Sequence, residues 1–214
     1  MAGSRADSTA WIVAALLIAG AAAGGLQVAA AAAQTSAALQ VRDVSGRPLE
    51  PFKPAGIANV IFFVQTDCPI SNWYAPTIQR VCREYGARGV SCTLMYEDIE
   101  MAGTPLEARL RSHLQEFRYE GIPAVADRTR AVASRARASV TPQAVVVDRA
   151  GAVRYRGRID NAYADFGKPR QHVTSHELRD ALDALLAGRA VAKPETEALG
   201  CFIVDPASLR PHHE

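Results

Sequence analysis

Cys68 has the clearest chemical potential in this sequence. It follows a nearly unbroken apolar run, residues 59–64, and precedes a helical pattern. The run is rich in β-branched and aromatic residues, which predicts a buried strand. A helix N-terminus offers unpaired N–H groups and the positive end of the helix dipole, and both stabilise a thiolate. The alternative is a buried, inert cysteine, but the position at a helix start favours a reactive thiol.

The residues after Cys68 predict the elements that position it. Four apolar residues recur there at helical spacing: Ile78, Val81, Cys82 and Tyr85. Residues 90–96 then alternate in the manner of a strand. A strand, a helix and a second strand joined by a right-handed crossover place the two strands parallel in one sheet.

The rest of the chain continues an α/β pattern. Residues 39–48 predict a small N-terminal hairpin, and residues 104–121 begin with a capping pattern that predicts a helix. Residues 143–148 and 153–157 predict two strands joined by a hairpin turn. Residues 174–188 open with a capping box and end in glycine, which predicts the last helix.

Two short motifs stand out: a single-cysteine turn, Cys-Pro-Ile-Ser at residues 68–71, and Val-Thr-Pro at residues 140–142 before an apolar strand. Together they resemble the thioredoxin superfamily, particularly the exported redoxins grouped with the alkyl hydroperoxide reductase and thiol-specific antioxidant proteins. The likeness covers about residues 38–187. It implies a thioredoxin-like three-layer α/β sandwich, with a central mixed sheet flanked by helices. An exported subgroup with a similar Asp-Cys-Pro-Ile-Ser-Asn turn also carries a late Gly-Cys, here residues 200–201.

The resemblance also implies roles for individual residues. Cys68 matches the attacking cysteine, and Thr141 and Pro142 match a cis-proline turn that faces it. The Thr141 backbone would then bind an extended substrate segment as an added strand. Three more residues belong to the active turn: Asp67, Pro69 and Ser71. The Asp67 carboxylate is expected to oppose thiolate formation, and Ser71 stands where many relatives have a second cysteine.

The other three cysteines lead to different predictions. Cys82 and Cys92 lie on apolar faces and are expected to be core residues. Cys201 is expected to resolve Cys68 by forming a disulfide with it in an oxidising compartment, because Ser71 cannot do so. The alternative for Cys201, a free tail thiol or a purely structural link, stays open.

The leading functional hypothesis is an exported thiol-disulfide oxidoreductase or antioxidant redoxin that needs no cofactor. The Cys68 thiolate would attack protein or small-molecule disulfides, or peroxides, and an external thiol would reduce the oxidised product. A thiol peroxidase is one alternative. Peroxidatic redoxins carry a threonine three residues before the cysteine and a proline four residues further back, where this chain has Gln65 and Ile61, and Thr66 is displaced by one position.

A second alternative is a non-catalytic module that binds copper or another soft metal. Cys68 and Cys201 could supply thiolates, and His172 or His176 an imidazole, all of which suit such metals. The usual pair of cysteines at the active turn is absent, however. Solvated histidines and no metal site are therefore the favoured interpretation.

The N-terminal 33 residues predict a secretory signal peptide. Residues 11–20 are strongly apolar, and Ala31, Ala32 and Ala33 supply the small residues that a signal peptidase needs, so the mature chain is expected to begin near Gln34. The alternative is an uncleaved anchor, which would be the only membrane contact. Residues 34–188 would form the thioredoxin-like domain and residues 189–214 a tail carrying Cys201. We therefore expect a periplasmic or membrane-anchored protein in an oxidising compartment.

The charge pattern gives no sign of nucleic-acid binding. The formal net charge is only +2. The arginines between residues 109 and 137 alternate with acids and apolar residues and lack interleaved aromatics, which predicts a solvated helix face.

Overall fold

The structure is a computed structural model that describes residues 39–101, 103–205 and 208. The predicted signal peptide and its cleavage site near Gln34 lie outside the described residues. None of the helices in the described ranges is long and apolar enough to span a bilayer.

Eleven strands and four helices follow one another along the described chain. In order they are β1 (Val41–Arg42), β2 (Pro48–Leu49), β3 (Ala58–Val64), α1 (Pro69–Gly86), β4 (Val90–Tyr96), α2 (Leu106–Glu116), β5 (Ala124–Ala126), α3 (Ala131–Ala136), β6 (Val140–Thr141), β7 (Gln143–Asp148), β8 (Val153–Gly157), β9 (Tyr163–Asp165), β10 (Lys168–Pro169), α4 (Glu177–Leu186) and β11 (Cys201–Phe202).

A five-stranded mixed sheet forms the middle layer, in the order β5-β4-β3-β7-β8. Strand β3 pairs in parallel with β4 and antiparallel with β7. All seven of its residues are buried, because it lies at the centre of the sheet and both its faces are covered. The apolar run before Cys68 is therefore the central strand that the sequence predicts.

Helices cover both faces of this sheet. Val60 and Phe62 of β3 pack into a cluster shared with α1, α2 and α4. Ile61 and Phe63 point to the opposite face and pack against α3. This alternation is the period of two that a strand imposes on its side chains. The predicted three-layer α/β sandwich is confirmed.

Helix starts differ in detail from the sequence predictions. Helix α2 begins after Pro105 with no side-chain cap, so the predicted capping residue at 104 does not act as one. The predicted capping box at α4 does not form either. Glu177 is buried and forms an ion pair with Arg158 instead, because a buried carboxylate gains more from an arginine partner than from one backbone N–H.

Cys82 and Cys92 form a disulfide, which their apolar pattern did not predict. Cys92 is buried in the core, as predicted, and Cys82 is only partly buried. Cys82 lies at the half-exposed border of the apolar face of α1, directly over Cys92 in β4, and their Cα atoms are 5.8 Å apart. Two cysteines at this separation can be bridged without moving the backbone. Apolar periodicity identifies the faces on which they lie but does not show that the two side chains meet.

We expect this disulfide to contribute about 2–3 kcal/mol to the free energy of unfolding, because it closes a short loop in the unfolded chain. The two cysteines are 10 residues apart. Urea unfolding of a Cys82→Ser/Cys92→Ser double variant should show this loss under non-reducing conditions. A Cys68→Ser/Cys201→Ser variant is the matched control, and equal stability of the 82/92 variant and the wild type would contradict the prediction.

Candidate redox site

Cys68 is the N-cap residue of α1, at the carboxyl end of β3. Pro69 occupies the first helical turn, where its missing N–H costs nothing. The Ser71 N–H donates to the Cys68 Sγ at 3.5 Å. Burial raises the pKa of Cys68, but hydrogen bonds from Cys201 and Ser71 outweigh it, so this pKa lies below its usual range. The Ser71 N–H at the helix start is thus one of the groups that favour the thiolate, after the Cys201 thiol.

The Thr141–Pro142 turn faces this cysteine. The peptide bond between the two residues is cis. The Thr141 carbonyl oxygen lies 3.0 Å from the Cys68 Sγ, and the Thr141 hydroxyl donates to the Gln65 side chain at 2.8 Å. The structure therefore brings together the two motifs on which the resemblance depends. Substrate binding by Thr141 and Pro142 stays a prediction.

The tail brings Cys201 to Cys68. Beyond α4 the chain runs back along β8, where the Thr196 N–H donates to the Arg156 carbonyl at 3.0 Å. Strand β11 then pairs antiparallel with β6, so that Cys201 lies opposite Thr141. The Cys201 thiol donates to the Cys68 Sγ at 2.8 Å. Because a disulfide bond is about 2.05 Å long, only a small movement separates this pair from a covalent link.

Gly200 permits this close approach. A Cβ atom on Gly200 would lie only 1.9 Å from the Thr141 carbonyl oxygen, and backbone of this kind cannot easily move away. The Gly-Cys sequence of the tail therefore has a steric reason. The pKa of Cys201 is raised to about 12 by burial and by the hydrogen bond to Cys68. Cys68 is thus the more acidic thiol of the two.

Further contacts hold the tail beyond Cys201. The Ile203 N–H donates to the Ser139 carbonyl at 2.9 Å, and the Ile203 side chain packs against the core cluster beneath α3. The Arg130 Nε donates to the Val204 carbonyl at 3.0 Å. Arg130 is buried and also donates to the Asp127 carbonyl, which corrects the prediction that all the arginines of this region lie on a solvated face.

Comparison with known proteins gives structural matches only. The sequence matches no family model and no curated protein. An uncharacterised conserved protein from Geobacillus kaustophilus is similar in structure, with a TM-score of 0.66 and 29% sequence identity over 78% of this chain and 88% of that one. A hypothetical protein from Sinorhizobium meliloti 1021 has the same TM-score and 24% identity, over 77% of this chain and 89% of that one.

A third match decides the fold. A Neisseria meningitidis protein, provisionally named a thioredoxin, has a TM-score of 0.52 and 17% identity over 70% of this chain and 87% of that one. This chain has the thioredoxin fold. The finer resemblance to the alkyl hydroperoxide reductase and thiol-specific antioxidant group stays a prediction.

The thioredoxin fold here lacks the polar arrangement expected of a peroxidase. Gln65 occupies the position of the peroxidatic threonine, and its side chain bonds to Thr141 and to the Glu97 carbonyl. The hydroxyl of the neighbouring Thr66 bonds to Asp98. No threonine hydroxyl among the described residues donates to the Cys68 sulfur.

The predicted effect of the Asp67 carboxylate on the thiol stays a prediction. Its side chain is 78% exposed and lies 3.7 Å from Arg109. Arg109 also forms a closer ion pair, at 2.8 Å, with the buried Asp98.

The histidines do not build a metal site with the cysteines. His172 and His176 are both exposed. Within the described part of the chain, no three histidine, cysteine or acidic side chains come together as metal ligands. The three-ligand set considered from the sequence therefore does not form.

A series of hydrogen bonds between buried and partly buried polar side chains supports the active turn of this thioredoxin fold. The sequence did not predict it. The Asn72 side-chain amide donates to the Thr66 carbonyl at 2.9 Å, which fixes the turn before Cys68. The Asn72 Oδ1 lies 2.8 Å from His113, whose other ring nitrogen lies 2.8 Å from the Tyr96 hydroxyl. Asn72 is the last residue of the Asp-Cys-Pro-Ile-Ser-Asn motif, and its place in the motif was the sequence feature that could have indicated these hydrogen bonds.

Acidification should destabilise the protein through His113. Burial lowers the pKa of His113 to about 4, so the folded state holds this ring neutral while the unfolded state protonates it below about 6.5. The neutral His113 ring contributes up to about 3 kcal/mol to the free energy of unfolding. This contribution is complete above pH 6.5 and is lost as the pH falls toward 4. Urea unfolding between these pH values should show a steeper decline for the wild type than for His113→Gln. Parallel curves would contradict the assignment.

Proposed function

We propose that this protein is a thiol-disulfide oxidoreductase whose redox pair is Cys68 and Cys201. The observation that carries the proposal is the 2.8 Å separation of the two sulfur atoms, with both cysteines free. Cys68 has the environment of a stabilised thiolate, and Cys201 is held beside it by strand pairing rather than by chance contact. The spacing supports a resolving role for Cys201, in place of the second turn cysteine that Ser71 replaces.

The pair would work by two successive exchanges. The Cys68 thiolate attacks one sulfur of a substrate disulfide, forms a mixed disulfide and releases the other substrate sulfur as a thiolate. Cys201, after losing its proton, attacks the Cys68 sulfur and releases the second substrate thiolate. The product is a Cys68–Cys201 disulfide, which an external thiol reductant returns to two thiols. In the reverse direction the oxidised pair would oxidise substrate thiols.

Mild oxidation of the protein should therefore link Cys68 to Cys201. Peptide mapping after treatment with oxidised glutathione, with exchange then quenched by acid and the remaining free thiols alkylated, identifies the linked cysteines. The expected map shows two disulfides, 68–201 and 82–92, of which dithiothreitol reverses the first. A map in which Cys201 stays free, or in which Cys68 is linked elsewhere, would remove the proposal.

Two observations support export to an oxidising compartment. The N-terminal 33 residues have the composition of a signal peptide. The Cys82–Cys92 disulfide is of a kind that persists outside the reducing cytosol. We propose that the thioredoxin domain acts there, and a chain recovered from the cytoplasmic fraction at full-length mass would contradict this.

A further inference from the structure

The two cysteines of the proposed pair differ in their exposure to solvent. Only 1% of Cys68 is exposed, although it is the more acidic thiol. Its sulfur is surrounded by the Thr141 carbonyl, the Ser71 N–H and the Cys201 sulfur. Cys201 is partly exposed, and the next residue, Phe202, is 75% exposed. A reagent that approaches the docked pair therefore meets Cys201 first.

Strand β11 in its docked position covers Cys68, so the attack of Cys68 on a substrate disulfide requires β11 to move away first. It occupies the backbone edge at Thr141 where an extended external segment would otherwise pair. The contacts of Ile203 with Ser139 and of Val204 with Arg130 extend the cover beyond the cysteine. An external polypeptide and the tail therefore compete for the same edge.

The chemistry of disulfide exchange also favours Cys201 as the sulfur that an external thiol attacks. The rate of exchange depends on access to the attacked sulfur and on the stability of the thiolate that leaves. Cys201 is the accessible sulfur, and Cys68, at the helix start, is the better leaving group. Attack on Cys201 satisfies both requirements, whereas attack on Cys68 satisfies neither.

We propose that the docked strand β11 encloses Cys68 and makes Cys201 the sulfur at which external thiols enter the oxidised pair. This inference rests on the proposed redox function. A low-molecular-weight thiolate attacks the Cys201 sulfur, a new bond forms there, and the Cys68–Cys201 bond breaks with its electron pair on Cys68. A second external thiolate attacks the external sulfur of the mixed disulfide and frees Cys201. Two external thiols are thus oxidised to one disulfide while the pair is reduced to two thiols.

The entry site can be located by trapping the mixed disulfide. Protein with the 68–201 disulfide is mixed with excess reduced glutathione, quenched with acid within seconds and mapped by mass spectrometry. We expect at least about tenfold more glutathione on Cys201 than on Cys68, because both access and leaving-group stability favour it. Glutathione found mainly on Cys68 would overturn the proposed entry site and leave the redox pair intact. Failure to form any 68–201 disulfide would overturn both.

The cover itself can be tested with a single added methyl group. Gly200→Ala should undock β11 through the clash with Thr141 and leave both thiols in place. The alkylation rate of Cys68 in the reduced protein should then rise by about tenfold or more, as expected when a local closed state opens. Gly86→Ala is the matched control, because a Cβ atom there meets nothing within 4 Å.

Folding of the variants is checked by circular dichroism and by the intact 82–92 disulfide. Should Gly200→Ala fail to fold, Ile203→Ser weakens the same strand through its packing rather than through the backbone, and the same rise in Cys68 alkylation is expected. Equal Cys68 alkylation rates in the wild type and in a folded, tail-weakened variant would overturn the enclosure.

Discussion

Cys68→Ser should abolish the exchange of disulfides. Reduction of a protein disulfide by dithiothreitol should then proceed at the rate measured without the protein. The reason is that Cys68 alone combines a helix N-terminus, a sulfur-directed N–H and a pKa below its usual range. Cys201 cannot take over as the nucleophile, because it lies on strand β11, away from the helix N-terminus that favours a thiolate, and burial raises its pKa.

A matched control for Cys68→Ser replaces cysteines that lie outside the proposed redox pair. Cys82→Ser/Cys92→Ser lacks the structural disulfide and retains the redox pair, so at a temperature where it is folded it should keep its exchange activity. Residual exchange above background in Cys68→Ser would contradict the assignment of Cys68 as the nucleophile.

Cys201→Ser should stop the reaction half-way. The first exchange at Cys68 can still occur, but no described free thiol then lies near the resulting mixed disulfide, because Cys82 and Cys92 are bonded to each other. We expect a long-lived adduct on Cys68 and a turnover that depends on the concentration of the external thiol. Mass spectrometry after incubation with oxidised glutathione measures the adduct, and unchanged turnover would make Cys201 a bystander.

A second substitution should rescue that variant. Ser71 lies one turn from Cys68, and its N–H reaches the Cys68 sulfur. Ser71→Cys added to Cys201→Ser should supply a local resolving thiol and shorten the lifetime of the adduct. Ser71→Ala in the same background is the control and should leave the adduct unchanged.

The surroundings of Cys68 could be predicted because they are encoded locally. The apolar run of β3 and the stripe of α1 follow each other within about thirty residues, and each pattern specifies its own element. The face of Cys82 was predictable for the same reason. Its bond to Cys92 was not, because it depends on how α1 crosses β4 rather than on either periodicity.

The tail contacts depend on distant parts of the chain and have weaker sequence signals. Gly200 and Cys201 stand out as a pair, but only the folded chain shows that Gly200 must pass close to the Thr141 carbonyl. The prediction of a solvated face was wrong for Arg130, because this side chain donates hydrogen bonds to backbone carbonyl oxygens. The pattern of side chains in a sequence does not reveal such bonds. Local rules thus predicted that Cys68 lies at a helix start, whereas tertiary packing determines what covers it.

The positions of Cys68 and Cys201 along the chain have a thermodynamic consequence. They are 133 residues apart, so a bond between them would enclose almost the whole sandwich in one covalent ring. Closing a ring of this length removes conformational entropy from the unfolded chain worth about 5 kcal/mol, a large fraction of the stability of a typical domain. Each catalytic cycle would then raise and lower the resistance of the entire domain to unfolding, and heat or proteases would act mainly on the reduced form.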